Sequence, residues 1–416
     1  KHHNSNNNSS SNSTLSHQPN QVKSYSKIRM SGGTTTTEEP AAATAPEDAP
    51  ASANVGCVGP TADTAGKSSA CAGCPNQGAC SSGQFNSPEA KAAAQQQTQA
   101  LKRSLDNVSH VILVLSGKGG VGKSTLSAQL THTLASQGYA VGLLDVDLCG
   151  PSAPRMVLGD AYKTATVTKS ASGGWLPVYS SEHPNLACMS ISFLLQQHDS
   201  AVVWRGPRKN GLIQQFLTEV DWTGETDGLD YLIVDTPPGT SDEHISTVQY
   251  LQQAKAVSGA VIVTTPEEVA MADVRKEINF CEKTKIPIMG LVENMGELLF
   301  PVSKLQFQSK NKTDKNSDED VTAQMMAVLK EHCPDLLANT NVKISLFPPS
   351  NGGPKAMAEH FKIPYWGILP MDPQLLEACE HGKTFVEMCP DSVAAKALTG
   401  FCETITKELK VEEVMQ

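Results

Sequence analysis

Val111 to Thr125, VILVLSGKGGVGKST, constrains this chain more than any other stretch. An apolar β-branched run (Val111, Ile112, Val114) breaks into Gly117, Gly119, Gly120 and Gly122. Lys123-Ser124-Thr125 then opens a segment in which Leu126, Leu130 and Leu134 recur at helical spacing. The order is strand, glycine-rich loop, helix N-terminus. Gly117 to Ser124, Val121 included, match G-x-x-x-x-G-K-[ST] in full. Glycines let successive backbone N–H groups turn inward around a polyphosphate, Lys123 supplies charge to its terminal oxygens, and the Ser124 hydroxyl can ligate Mg²⁺. Lys118 is a second lysine, directly after the first glycine, that the pattern does not require.

Further apolar runs end in acids. Ala140 to Leu144 reads as a buried strand running into Asp145 and Asp147 (LLDVDLCGPSAP), and Tyr231 to Val234 as a central strand ending at Asp235 (YLIVDTPPG). Carboxylates at the carboxyl edge of a parallel sheet face the ligand crevice, where Asp235 would organise Mg²⁺ and the DTPPG turn would sense a terminal phosphate. Asp242–Ala256 and the TTPEEVAMADVRK segment read as helices, with strands at Ala260–Thr264 and Ile288–Val292, the latter ending at Glu293-Asn294-Met295. Arg205, Arg208 and Lys209 precede another helix. Lys304–Asp320 reads as a polar surface insertion and Val321–Leu337 as a peripheral helix pair, while the Pro370–Pro373 loop stands where it could border a nucleotide base. Strands alternating with helices predict an α/β fold with a doubly wound, mostly parallel sheet.

A net charge of −10 argues against a broad nucleic-acid surface, and no run of eighteen apolar residues predicts a membrane span. Residues 1–55 are rich in Asn, Ser, Thr, Pro and Ala and are expected to be disordered. Residues 1–29, which precede Met30, read as an extension absent from the mature chain or, less well, as a transit peptide. Cys57, Cys71, Cys74 and Cys80 crowd residues 56–86, separated by thirteen, two and five residues of mostly small or turn-forming type. Such a segment lacks the apolar residues for a core, whereas four thiolates can wrap a metal. Their spacing suits an iron-sulfur cluster better than a zinc knuckle, which usually shows two short C-x-x-C pairs. Residues 87–106 read as a helical linker, 107–403 as the nucleotide domain, and 404–416 as a C-terminal tail within an amphipathic helix starting at Val393.

SGKGGVGKST, DVDLCGPSAP, VVWRGPRKNGLIQQF, IVDTPPGTSDEH, TTPEEVAMADVRK, ENM and GILPMDP follow one another in an order that resembles the Mrp branch of the MinD-like P-loop ATPases. The four cysteines add a likeness to the cytosolic iron-sulfur assembly scaffolds of that branch. The resemblance implies slow ATP hydrolysis with Mg²⁺ and a dimer, either of two like subunits or with a related scaffold ATPase. It also implies [4Fe-4S] assembly in the cytoplasm, extending to nuclear recipients, and delivery to apoproteins and targeting factors. Lys118 then reaches the other subunit's phosphates, Asp147 positions the attacking water, and Asp145, Asp235 and Asn294 complete the nucleotide site with Gly117, Gly119, Gly120, Val121, Gly122, Lys123, Ser124 and Thr125. The family commonly continues ENMSGFVCPxC, with a cluster held by those cysteines across the dimer. Here Phe300 and Ser303 replace them, which leaves the amino-terminal cysteines or a substitute such as Cys333, Cys379 or Cys281. The competing reading is a MinD/ParA-like positioning ATPase with zinc on the amino-terminal cysteines, which requires a basic surface helix that is not visible.

Overall fold

The computed structural model describes residues 53–415 except 55–56, 61, 85–86, 148–149, 172, 195–205, 225–227, 255, 310–318 and 348–351. The amino-terminal tail, Cys149 and Arg205 therefore lie outside the described residues. Strands of the main sheet are β1 (Val108–Ser116), β2 (Val141–Asp145), β3 (Val178–Tyr179), β4 (Leu186–Ser190) and β5 (Leu229–Asp235), followed by β6 (Val257–Thr264), β7 (Ile288–Pro301), β8 (Asn341–Ile344) and β9 (Tyr365–Met371). The helices used below are α1 (Pro88–Leu105), α2 (Lys123–Ser136), α3 (Gly206–Glu219), α4 (Asp242–Gln253) and α5 (Glu268–Thr284). They continue with α6 (Thr322–His332), α7 (Pro334–Asn339), α8 (Gly353–Phe361), α9 (Pro373–His381), α10 (Phe385–Met388) and α11 (Val393–Met415).

The order across the sheet is β8-β7-β6-β1-β5-β2-β4-β3, with β9 added beside β7. All pairings are parallel except the outer β8/β7 and β3/β4. From β1 the chain passes beyond β5 to β2, whereas β6 lies on β1's other side. The carboxyl ends of β1, β5 and β2 therefore flank the crevice at which such sheets take their ligand. Residues 111–115 of β1 are buried, as a strand covered on both faces requires.

Helix α2 is buried almost all round, and its interior polar groups are individually satisfied. Gln129 Nε2 donates to the Lys383 carbonyl at 3.1 Å and Gln129 Oε1 accepts the Phe385 N–H at 3.0 Å. Thr384 Oγ1 lies 3.2 Å from His132 Nδ1 and 2.6 Å from His183 Nε2. Burial lowers the His132 pKa to about 4, so the ring is neutral at physiological pH. These bonds fix the helix behind the phosphate loop to α10 and to the turn before β4.

Helix α1 buries Leu101 and Leu105 against α3 and α4, and Ser104 Oγ donates to the Leu217 carbonyl. The expected strand at Ile288–Val292 instead runs on to Pro301. Leu298, Leu299 and Phe300 find an antiparallel partner in Ile344, Lys343 and Val342, so Gly296 does not end the strand. Residues 321–347 contain no buried side chain, in keeping with a peripheral helix pair at α6 and α7. Helix α11 passes without a break through position 404 and buries Ile405 and Leu409.

Candidate nucleotide site and cysteine segment

Asp145 and Asp235 are the last residues of β2 and β5 and stand opposite each other in register. Paired residues on neighbouring strands share a face, so two fully buried carboxyls meet there. Lys123, 6% exposed, enters from the first turn of α2 and places Nζ 2.5 Å from Asp235 Oδ1. Ser127 Oγ donates to the same oxygen at 2.8 Å, while Ser124 Oγ lies 3.4 Å from the ammonium. Asp145 accepts the N–H groups of Asp147 (3.1 Å) and Ala153 (3.3 Å) and the Ser190 hydroxyl (3.3 Å).

Burial, followed by the charge of Asp235, pushes the Asp145 carboxyl well above the usual carboxylate range, with Lys123 opposing. Ionising both acids beside one ammonium leaves a buried negative charge, which a divalent cation would offset. Asp235 Oδ2 has no hydrogen-bond partner, which leaves that oxygen to accept from a cation's water. The donor set fits Mg²⁺. Asp147, half-buried, accepts the Gly150 N–H at 3.3 Å on Oδ1 and flanks this pair.

The glycine loop is braced on three sides. Gly239 donates its N–H to the Ser116 carbonyl at 2.7 Å, Asn294 Nδ2 donates to the Val121 carbonyl at 2.8 Å, and α5 lies against Gly117. A Cβ on Gly117 would come 2.5 Å from the Asp273 carbonyl carbon. Gly119 and Gly120 are exposed, and Thr125 is half-buried one residue beyond Ser124. Gly122 has φ +84° and would bring a Cβ 2.1 Å from Asn294 Nδ2. Gly122→Ala is therefore expected to lose about 1–3 kcal/mol in urea unfolding from backbone strain alone. It should also weaken nucleotide binding, measured by fluorescence titration, because Asn294 must leave the loop.

Lys118 pairs with Glu267 at 2.8 Å, both side chains about one-third exposed, and Glu267 stands at the N-cap of α5. Arg208 and Lys209 fall in the first turn of α3, and their side chains are outside the described set.

The cysteine segment folds back on itself through short turns. Asn54 Nδ2 donates to the carbonyls of Ala70 and Ala72, Gln77 Nε2 donates to the Gly66 carbonyl at 3.3 Å, and the Cys74 N–H donates to the Cys71 carbonyl at 3.1 Å. Cys71 is buried and Cys57, Cys74 and Cys80 are half-buried. Burial and then the charges of Cys57, Cys74 and Cys71 raise the Cys80 thiol, so the other three sulfurs lie within reach of its field. Thiolates that repel one another are stabilised together by a bound cation, and the soft donor set suits iron or zinc. Among the described residues the side chains do not close to metal-ligating separations.

Two proposed substitutes for the missing cysteine pair do not reach the surface. Burial pushes the Cys281 thiol up to about 12 and Cys379 up to about 11, and both are almost fully enclosed. Cys333 is exposed at the end of α6. Sequence reasoning passed over Cys389, which lines an open cavity of about 600 Å³ with Phe300, Pro301, Lys304 and the Pro370–Pro373 loop. It also passed over Ser127 and Glu277, which lie outside the quoted motifs, and gave no separate role to His244 and Glu267, which lie within IVDTPPGTSDEH and TTPEEVAMADVRK.

A glycine loop after the central strand, a buried lysine in the first helical turn and paired acids on neighbouring strand ends define a P-loop nucleoside triphosphatase. A family profile described as ParA, NUBPL iron-transfer P-loop NTPase, matches residues 107–330. A Caenorhabditis briggsae protein named cytosolic Fe-S cluster assembly factor NUBP1 homolog is 45% identical over 363 residues, 87% of this chain and 99% of the relative. The chain belongs to the NUBPL iron-transfer P-loop NTPase family. Among solved structures, a nucleotide-binding protein in complex with ADP from Archaeoglobus fulgidus is 32% identical and covers 69% of this chain and 92% of its own, with a TM-score of 0.48. The cell division ATPase MinD of Pyrococcus furiosus is 22% identical and covers 72% of this chain and 99% of its own, with a TM-score of 0.42.

Proposed function

We propose that this chain is an ATP-dependent scaffold that assembles [4Fe-4S] clusters and hands them to cytosolic apoproteins. The carrying observation is the length of the match to the cytosolic assembly factor. A 363-residue match within 416 residues necessarily takes in Cys57 to Cys80 as well as the phosphate loop, Asp145 and Asp235. Cys57, Cys71, Cys74 and Cys80 would receive the cluster as cargo, and Gly117 to Thr125 would wrap the ATP phosphates. Lys123 would exchange Asp235 for the phosphate oxygens, and Ser124, Asp145 and Asp235 would hold Mg²⁺, which neutralises phosphate charge during hydrolysis. Asp147, beside that pair, would orient the attacking water.

The active assembly is a dimer, of like subunits or with a related ATPase. For Lys118 to reach a second subunit's phosphates it must leave Glu267, so closure exchanges one partner for another on this side chain. The C-terminal helix supports the scaffold reading over a surface-positioning ATPase, because α11 turns Ile405 and Leu409 into the chain's own core. Among the described residues no helix is long and apolar enough to cross a membrane.

Anaerobic reconstitution with iron and sulfide tests the proposal. The expected result is a [4Fe-4S] absorption and EPR signature, with activation of an apo [4Fe-4S] enzyme that speeds up when ATP is added. Stoichiometric zinc without a cluster signal would overturn it.

A further inference from the structure

His244 lies near the start of α4, immediately after the Asp235–Gly239 turn, and is completely buried. Its Nδ1 lies 2.5 Å from the Gly239 carbonyl. A carbonyl only accepts, so Nδ1 carries the hydrogen and Nε2 is bare, and Nε2 has no partner. Gly239, at φ +70°, donates its own N–H to the Ser116 carbonyl at the end of β1. A Cβ on Gly239 would stand 3.3 Å from the Gly117 carbonyl oxygen. Two hydrogen bonds thus join His244, through one glycine, to the first residues of the phosphate loop.

A second acceptor lies near the same nitrogen. Glu277 on α5 is 1% exposed and carries Oε2 3.8 Å from His244 Nδ1, again without a hydrogen-bond partner. Phe280 packs edge-on against the imidazole at 5.1 Å. The charged groups acting on this pair are Asp273 on α5 and Lys123 at the start of α2, and Glu277 in turn raises the neighbouring Cys281 thiol. Burial, helped by Asp273, pushes the Glu277 carboxyl up to about 7, whereas burial holds the His244 pKa below its ordinary value. The ring is therefore neutral at pH 7 and Glu277 is close to half-protonated. Once ionised, Glu277 competes with the Gly239 carbonyl for the single Nδ1 hydrogen.

We infer that His244 is a positioning residue for ATP hydrolysis: its Nδ1–H keeps the Asp235–Gly239 turn in register with Ser116 and Gly117, and Glu277 is the alternative acceptor when the turn moves. A merely satisfied core histidine would affect stability without separating its two nitrogens. An asparagine amide can occupy the Nδ1 position, whereas a glutamine amide extends to the Nε2 position. In single-turnover hydrolysis by the full chain, His244→Gln is expected to lower the rate about tenfold or more, the order of one lost oriented hydrogen bond, with the ATP KM changed less than about threefold. His244→Asn should rescue the rate to within about threefold of the native chain.

The native rate should fall as pH rises through about 7, because ionised Glu277 draws the hydrogen off Gly239. Glu277→Gln, an isostere of the protonated acid, should flatten that limb. Equal losses in His244→Asn and His244→Gln, or retention of the native rate by both, would overturn the inference. Should the histidine variants fail to fold, an unchanged pH limb in folded Glu277→Gln would overturn it instead.

Discussion

Lys123→Ala is expected to abolish ATP hydrolysis and to destabilise the fold by about 3–5 kcal/mol, far more than removing an exposed lysine would. Both effects come from one position. The ammonium is the cation set against Asp235, which is itself opposed in register by Asp145, and burial denies the orphaned carboxylate any help from water. The destabilisation should narrow as the pH falls, because protonating a carboxylate removes the uncompensated charge. Urea unfolding at pH 5 and pH 8 measures this. Lys123→Ala/Asp235→Asn should recover most of the stability and none of the hydrolysis, since the neutral amide no longer needs a counter-charge while the phosphates still lack theirs. Full ATP binding by Lys123→Ala would overturn the assignment of the phosphate cradle.

Cys71→Ala/Cys74→Ala is expected to cut iron in the reconstituted chain from about four atoms to well below one, as a [4Fe-4S] centre loses two of its four thiolates. Nucleotide affinity in the metal-free chain should be unchanged, because neither cysteine belongs to the phosphate loop. Loading of the native chain should strengthen with pH: the Cys80 thiol is raised by burial and by its three neighbours, and the ligating form is the thiolate. Iron content by inductively coupled plasma analysis, alongside fluorescent-nucleotide titration, reports both halves. A cluster that forms normally in the double variant would place the ligands elsewhere, with Cys389 and Cys333 the first to examine.

The nucleotide site was largely legible because each of its parts has a local signature. A β-branched run followed by glycines and then leucines at helical spacing can hardly be anything but β1, the loop and α2, and acids at the ends of apolar runs mark strands entering a crevice. The long β7 was not legible, because Gly296 looks like a stop and the partner that extends the strand arrives forty residues later in β8. Glu277, and the role of His244 at the end of the IVDTPPGTSDEH stretch, were hidden for the same reason. Each sits on an ordinary amphipathic helix, and only the packing of α4 on α5 turns them into a buried pair with unpartnered acceptor atoms. In α2 the polar residues Gln129 and His132 would ordinarily mark an exposed face, yet their partners at Thr384 and Phe385 lie some 250 positions away. Cys389 carried no signal at all, since an isolated cysteine in a sequence says nothing about the cavity it will line.

The seating of α1 has a further consequence for how cargo could travel. Seven residues separate Cys80 from Pro88, where the helix begins, so even a fully extended link spans only about 25 Å. With Leu101 and Leu105 fixing the other end of the helix to the body, anything held by the four sulfurs stays at an effective concentration on the order of millimolar relative to its own nucleotide domain. Diluting the protein would then slow encounters with recipients while leaving exchange between sulfurs and body within one chain untouched. Loading and delivery would acquire different concentration dependences, a separation set by a tether and one helix rather than by any difference in affinity.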